Sequence, residues 1–407
     1  MRVFCAIRHA KDPNQFYGGL WSANFYPALR ALGHELIESD TDLLPTSRFM
    51  GYASDFTREE LEVRAQTTER ILAEVRAALQ VGPVDLFFSY FYNAHFDPAG
   101  YDELRLLGVP SVNFYCNSMH QFEQVAAIAA KVDFAWHAER DARESYLAVG
   151  ARPVWVQMGA DPNLCYPVTG LSRKAKACFV GQRYADRDRW VAALIAGGVP
   201  LDLFGAGWSE KAGHVTALAK LEPSENYLGR VHSKPGSFPS YVAACRRIAQ
   251  NDGAVSGMAR LVRLWQRRCQ TRALDALLSP HAKGRANEIS GVFASYELCL
   301  NFSNVWADGL PGSALISHVR LRDFEGPMCR TCYLTGHTDE ITEFYEVGKE
   351  IDTYLSAEEL VEKAQFYLRH PEAAEKLRSA GYRRARQDHT WQRRFEQLFR
   401  FVFGNNL

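Results

Sequence analysis

The stretch "ACFVGQRYADRDRWVAALIAGGVPLDLFGAGW" (Ala177–Trp208) opens on a short apolar run and breaks at Gly181. It continues with apolar residues at helical spacing in "DRDRWVAALIAGG" and returns to an apolar run before a second glycine turn, Gly205 and Gly207. Strand, helix and strand in that order form a βαβ unit, whose strands lie parallel. A glycine between a strand and a helix lets backbone N–H groups approach a phosphate at the helix N-terminus. Arg183, Arg187 and Arg189 follow Gly181, and guanidinium groups suit phosphate oxygens. A solvated helix start with alternating charge reads equally well from these residues. The Gly205 and Gly207 turn is likewise a candidate for the donor side, although it does not form the dinucleotide fingerprint, which needs G-x-G-x-x-G and an acid about twenty residues further on. No Walker loop is present.

The same alternation runs upstream. "RVFCAI", "HELIESD", "VDLFFSYF" (Val84–Phe91), "VPSVNFYC", "VDFAWHA" and "RPVWVQMG" read as strands, and the segments between them as helices. The longest helical pattern runs from Thr57 to Leu79. "VDLFFSYF" is nearly all apolar, as a strand covered on both faces requires. Alternating β and α units predict a doubly wound parallel sheet. The pattern lapses over Gly159–Ala177 and then restarts, which predicts a domain boundary there and a second α/β half beyond it. The expected divisions are 1–168, 169–385 and a terminal helix over 386–407 that crosses back to the first domain. A helical insert over about 235–287 interrupts the second half. Its basic run "RLVRLWQRRCQTR" suits either a solvated helix on the second domain or a peripheral contact with a membrane or an anionic partner.

Composition narrows the classes. The chain has 407 residues, too many for one compact core, so two domains are expected. Lys plus Arg and Asp plus Glu are 47 each, a balance that argues against general nucleic-acid binding. No apolar run reaches bilayer-spanning length and the start reads as a strand, so a cytoplasmic protein is expected, with a peripheral place at the inner membrane face left open. Nine cysteines without framework spacing fit reduced thiols, and the Cys329–Cys332 pair lacks the second pair a metal or redox reading needs. The acidic pairs Asp40–Asp42 and Asp186–Asp188 suit turns and caps better than a hard cation, so no metal site is expected. There is no G-x-S-x-G elbow and no HExxH. Gly18 and Gly19 sit between the first strand and its helix, as a simple turn or a place for an acceptor. Asn117 and His120 follow the strand ending near Tyr115, where acid/base or hydroxyl-binding groups sit in such folds.

The C-terminal third is more specific. R-x-F-E (Arg322 to Glu325), the strand ending Leu334-Thr335, G-K-E-I (Gly348 to Ile351), the "EEL" helix, "HPE" and "HTW" (His389 to Trp391) resemble the CgeB-like proteins within the group-1 (GT-B) glycosyltransferases. "GADPNLCYP" and "CFVGQRYADRDRW" resemble the same family's interdomain region. The resemblance implies two Rossmann-like domains facing each other across a cleft. It implies a sugar transferred from a nucleotide-diphosphate donor on the second domain to an acceptor on the first. Glu325 would then hold the donor ribose hydroxyls, beside Arg322 and Arg320, and the Gly181 turn would lie against the diphosphate. No cofactor and no metal are implied, because basic side chains and a helix dipole stabilise a leaving diphosphate. The chain departs from the pattern at Ser317, where many retaining members carry a second glutamate, and at Asn117, where relatives often carry aspartate. Stereochemistry, base and acceptor stay open. So do a nucleotide-sugar epimerase and a binding protein that has lost its chemistry.

Overall fold

The computed structural model describes residues 1–7, 19–51, 55–209, 253, 257–260, 262–263, 265–266, 272–286, 288–309 and 312–404. Gly18 and most of the expected helical insert lie outside them. Contacts divide the chain at Gln157/Met158 and Thr390/Trp391, where the sequence reading places 168/169 and 385/386. Unit 1 holds Met1–Gln157 and the segment from Trp391 onward, and unit 2 holds the described residues between.

Unit 1 is a six-stranded sheet in the order β2-β1-β3-β4-β5-β6. The strands are β1 (Arg2–Ala6), β2 (Glu35–Glu38), β3 (Leu86–Ser89), β4 (Ser111–Tyr115), β5 (Phe134–His137) and β6 (Pro153–Trp155). Every pairing is parallel. Strands β3, β4 and β5 are buried at every residue, which accounts for their continuous apolar runs. The connecting helices are α1 (Leu20–Ala31), α2 (Leu44–Ser47), α3 (Arg58–Val81), α4 (Gly100–Leu106), α5 (Ser118–Gln121), α6 (Ala126–Ala129) and α7 (Arg143–Ala148). Helix α3 starts at a capping box: Thr57 Oγ1 accepts the Glu60 N–H at 3.2 Å and Glu60 Oε2 accepts the Thr57 N–H at 2.7 Å.

Unit 2 is a five-stranded parallel sheet in the order β13-β12-β9-β7-β8. Its strands are β7 (Lys174–Val180), β8 (Leu201–Phe204), β9 (Tyr296–Asn301), β12 (Tyr333–Gly336) and β13 (Asp352–Tyr354). A separate antiparallel pair joins β10 (Asn304–Trp306) to β11 (Leu315–Ser317). The helices are α8 (Arg187–Ala196), α9 (Ile289–Ala294), α10 (Arg322–Met328), α11 (Ala357–Arg369) and α12 (Pro371–Asp388). Phe179, Val191, Leu194, Leu203, Leu300, Leu334 and Leu360 are part of one core between sheet and helices.

The last helix, α13 (Trp391–Phe403), belongs to unit 1. Trp391 Nε1 donates to Asn24 Oδ1 of α1 at 2.9 Å, and the Trp391 and Phe395 rings meet Phe25 edge-on. Among the described residues no helix is long and apolar enough to cross a membrane.

Candidate active site

In an open α/β sheet, ligands bind beyond the carboxyl ends of the strands where the strand order reverses. In unit 2 the chain goes from β7 outward to β8, then returns to β9 on the other side of β7. The switch point therefore lies between β7 and β9. The residues just past these strands are Gly181 and Phe302–Asn304, and the helix that follows β7 starts at Arg187.

The glycines of the opening stretch serve close packing of two turns. Gly181 donates its N–H to Phe204 O at 2.8 Å, and its carbonyl accepts Trp208 Nε1 at 2.7 Å. That N–H is engaged within the sheet edge rather than presented to a ligand. A Cβ on Gly181 would meet the Phe179 ring at 2.6 Å. Gly205 has φ +130° and approaches so closely that a Cβ there would lie 2.4 Å from Gly181 O. Gly207 packs on Arg183, whose N–H donates to Ala206 O.

The arginines divide by partner. Arg183 is committed to carboxylates, Asp275 at 2.5 Å and Asp188 at 3.4 Å. Arg187 is only 6% exposed and makes no ion pair among the described residues. Its Nη1 donates to Gln182 O at 2.9 Å, its guanidinium lies over Phe179 and Tyr184, and its buried Nε has no hydrogen-bond partner. Burial, and then the neighbouring Arg320, push its pKa down to about 9. A buried cation beside a second cation is a place where an anion binds favourably. Asp186, next in the chain, receives Trp190 Nε1 and Asn304 Nδ2 on Oδ2, while its buried Oδ1 has no partner.

Helix α10 carries the motif residues in two directions. Arg322 Nη1 donates to Glu325 Oε2 at 2.5 Å, so these two are partners of each other. Between them in sequence, Asp323 is a hub. Its Oδ1 accepts Asn301 Nδ2, Tyr333 Oη and Thr335 Oγ1, and its Oδ2 accepts the Arg320 N–H at 2.7 Å. Burial pushes the Asp323 carboxyl up, against those hydrogen bonds. Asp323 thus ties the loop carrying Arg320 to the ends of β9 and β12. Sequence reasoning passed over Asp323; its place inside R-x-F-E was the available signal.

In unit 1, Asn117 precedes α5 and donates to Gln121 Oε1 at 3.2 Å, and His120 is half-buried on the same short helix. Gly19 precedes α1 and accepts the Ala23 N–H. Two groups beside α5 were not singled out from the sequence. Glu139, buried, accepts the Met119 N–H at 2.6 Å. His137 stacks on Tyr146, with Nδ1 2.9 Å from Glu139 O and a buried Nε2 without a partner; burial pushes its pKa down to about 4. The acidic pairs act as turn and helix partners: Asp42 accepts the Leu44 N–H, and Asp188 pairs with Arg183. Among the described residues no group of three or more His, Cys, Asp or Glu side chains is placed to hold a metal ion.

Residues 244–400 match the family model described as glycosyl transferase-like. Sucrose-phosphate synthase from Thermosynechococcus elongatus aligns over 99% of this chain and 98% of its own, with TM-score 0.56 at 14% identity. Anabaena Alr3699/HepE, in complex with UDP, aligns over 98% and 99%, with TM-score 0.53 at 10% identity. AviGT4, a glycosyltransferase involved in avilamycin A biosynthesis, gives TM-score 0.54 at 14% identity over 99% and 98%. No curated protein matches. The fold is that of the GT-B glycosyltransferases. With the matched segment, it supports glycosyltransferase activity for this chain.

Proposed function

We propose that this chain moves a sugar from a nucleoside-diphosphate donor held on unit 2 to an acceptor held on unit 1, without a metal ion and as a CgeB-like member of the group-1 enzymes. One observation carries the reading: Arg187, buried at the switch point with Arg320 beside it and in no ion pair among the described residues. In the transfer, an acceptor oxygen forms a bond to the anomeric carbon, the bond from that carbon to the diphosphate breaks, and the diphosphate leaves with added negative charge. Two guanidinium groups preorganised against that charge stabilise the leaving group. Arg183 fixes the turn behind them through Asp188 and Asp275.

Glu325 is the candidate for the ribose hydroxyls. Its carboxylate is already oriented by Arg322, and it still has lone pairs to accept O–H donors. His120 and Asn117 are the candidates for handling the acceptor hydroxyl and its proton, and Gly18 and Gly19 for the acceptor side. UDP, bound by the Anabaena protein, is the first nucleotide to try.

The test is donor consumption. Nucleotide sugars are incubated with the full chain and candidate acceptors in EDTA or in Mg²⁺, and the released nucleoside diphosphate is counted. Release that needs an acceptor, persists in EDTA and falls at least a hundredfold in Arg187→Met supports the reading. Donor conversion without any acceptor would mean an epimerase, and nucleotide binding without turnover a binding protein.

A further inference from the structure

The entrance to α8 holds an aspartate that does not do an aspartate's usual work there. Asp186 occupies the N-cap position, where a carboxylate ordinarily accepts an N–H of the helix's first turn. It makes no such bond. Its Oδ2 accepts Trp190 Nε1 at 2.9 Å and Asn304 Nδ2 at 2.7 Å instead. Trp190 lies one turn along α8 and Asn304 just past β9, so Asp186 spans the switch point between β7 and β9. Its other oxygen, Oδ1, is buried with no hydrogen-bond partner among the described residues, on a side chain 7% exposed. A desolvated carboxylate oxygen without a donor is costly, and a ligand that brings a donor removes the cost.

The neighbours choose the group that Oδ1 takes. Arg187, next in the chain, has an open buried atom of its own, Nε, and Arg320 is near enough to act on its charge. An ammonium group at Oδ1 would face these two guanidinium groups, and an anion would face the carboxylate itself. A neutral O–H suits Oδ1 and fits beside an anion held by Arg187. A nucleotide sugar has that pattern, with hydroxyls on either side of a diphosphate. Glu325 on α10 is the candidate for the ribose side, which leaves the sugar side to Asp186. We propose that Asp186 Oδ1 accepts a hydroxyl of the transferred sugar and so selects the donor. The proposal rests on the reading of Arg187 as the diphosphate's partner. Both open atoms are shut off from bulk water, where a hydrogen bond to a charged group is strongest. Asparagine separates this role from a structural one. In Asp186→Asn the amide oxygen keeps Trp190 and Asn304, and the amide N–H₂ replaces Oδ1, so the position donates where it accepted.

The experiment is titration calorimetry of the full chain with UDP-glucose, UDP-galactose, UDP-N-acetylglucosamine, GDP-mannose and dTDP-glucose. The tightest binder is then compared with its single-deoxy sugar analogues, its 3′-deoxyribose analogue and its free nucleoside diphosphate. On wild type, one deoxy sugar is expected to bind about tenfold to a hundredfold more weakly than the parent. On Asp186→Asn the parent should weaken by the same factor, and that deoxy sugar should bind within about twofold of it. The free nucleoside diphosphate should bind Asp186→Asn as tightly as wild type or more tightly, because a negative charge near it has gone. Circular dichroism confirms that the variant is folded, and the wild-type series needs no variant. Binding of none of these donors overturns the Arg187 reading, and this proposal with it. Three outcomes overturn the proposal alone. No deoxy sugar loses more than about threefold on wild type. The loss persists undiminished in folded Asp186→Asn. The loss cancelled by Asp186→Asn belongs to the ribose hydroxyl.

Discussion

Arg187 is tested by a single substitution, which removes its charge together with its bond to Gln182 O. Its charge is destabilising where it sits, because burial and Arg320 both oppose it. Replacing a buried, unpaired cation with an apolar side chain of similar length is neutral or stabilising. Arg187→Met is therefore expected to hold or raise the thermal midpoint of the ligand-free chain. It should also abolish the stabilisation of roughly 3 kcal/mol that a nucleoside diphosphate gives at a hundred times its Kd. A residue with a purely structural role would show the opposite, a lower midpoint. His137 makes a second residue-scale prediction. Its folded-state pKa of about 4 lies below the ordinary value, so the unfolded chain binds the extra proton first as pH falls. Stability that His137 permits at neutral pH should drain away between about pH 6.5 and 4, by roughly 3 kcal/mol. In His137→Gln that slope should flatten, as read by urea unfolding at pH 7, 5.5 and 4.5. The two residues differ in how far sequence exposed them. Arg187 follows a glycine turn and was open to reading as a phosphate ligand. His137 ends an apolar strand, and nothing local says that its Nε2 is buried without a partner.

At the scale of elements, the glycine turns and helix α10 carry the predictions. Gly205 combines a left-handed φ with a carbonyl where its Cβ would go. Gly205→Ala should cost at least about 2 kcal/mol and disturb the Gly181 turn with it. Gly348 also has positive φ but has open space around it, so Gly348→Ala should cost clearly less in the same unfolding assay. In α10, Arg322→Ala leaves Glu325 buried without its partner and should cost about 3 kcal/mol. Replacing both residues with apolar ones should recover much of that. Strand and helix positions were legible because hydrophobic periodicity is a local signal. The direction of each side chain on α10 was not. Arg322, Asp323 and Glu325 lie within four residues, yet Arg322 and Glu325 face each other while Asp323 faces the strand ends. That division depends on Asn301 and Thr335, which are distant in sequence. The β10–β11 pair was missed because its strands are three residues each, too short to show alternation.

At the scale of the whole molecule, the two halves should respond separately to ligand. The doubly wound pattern was legible in both, because buried parallel strands must be apolar throughout. The strand order was not, and it is the order that puts Gly181, Arg187 and Asn304 at one edge. The most direct measurement is amide hydrogen exchange of the full chain with and without a panel of nucleoside diphosphates, beginning with UDP, on wild type and Arg187→Met. Protection is predicted over residues 180–189, 301–304 and 318–325 of unit 2, for one nucleotide above the others, unchanged by EDTA and absent in Arg187→Met. Protection that survives Arg187→Met, or that falls elsewhere in the chain, would contradict the placement of the donor at this switch point.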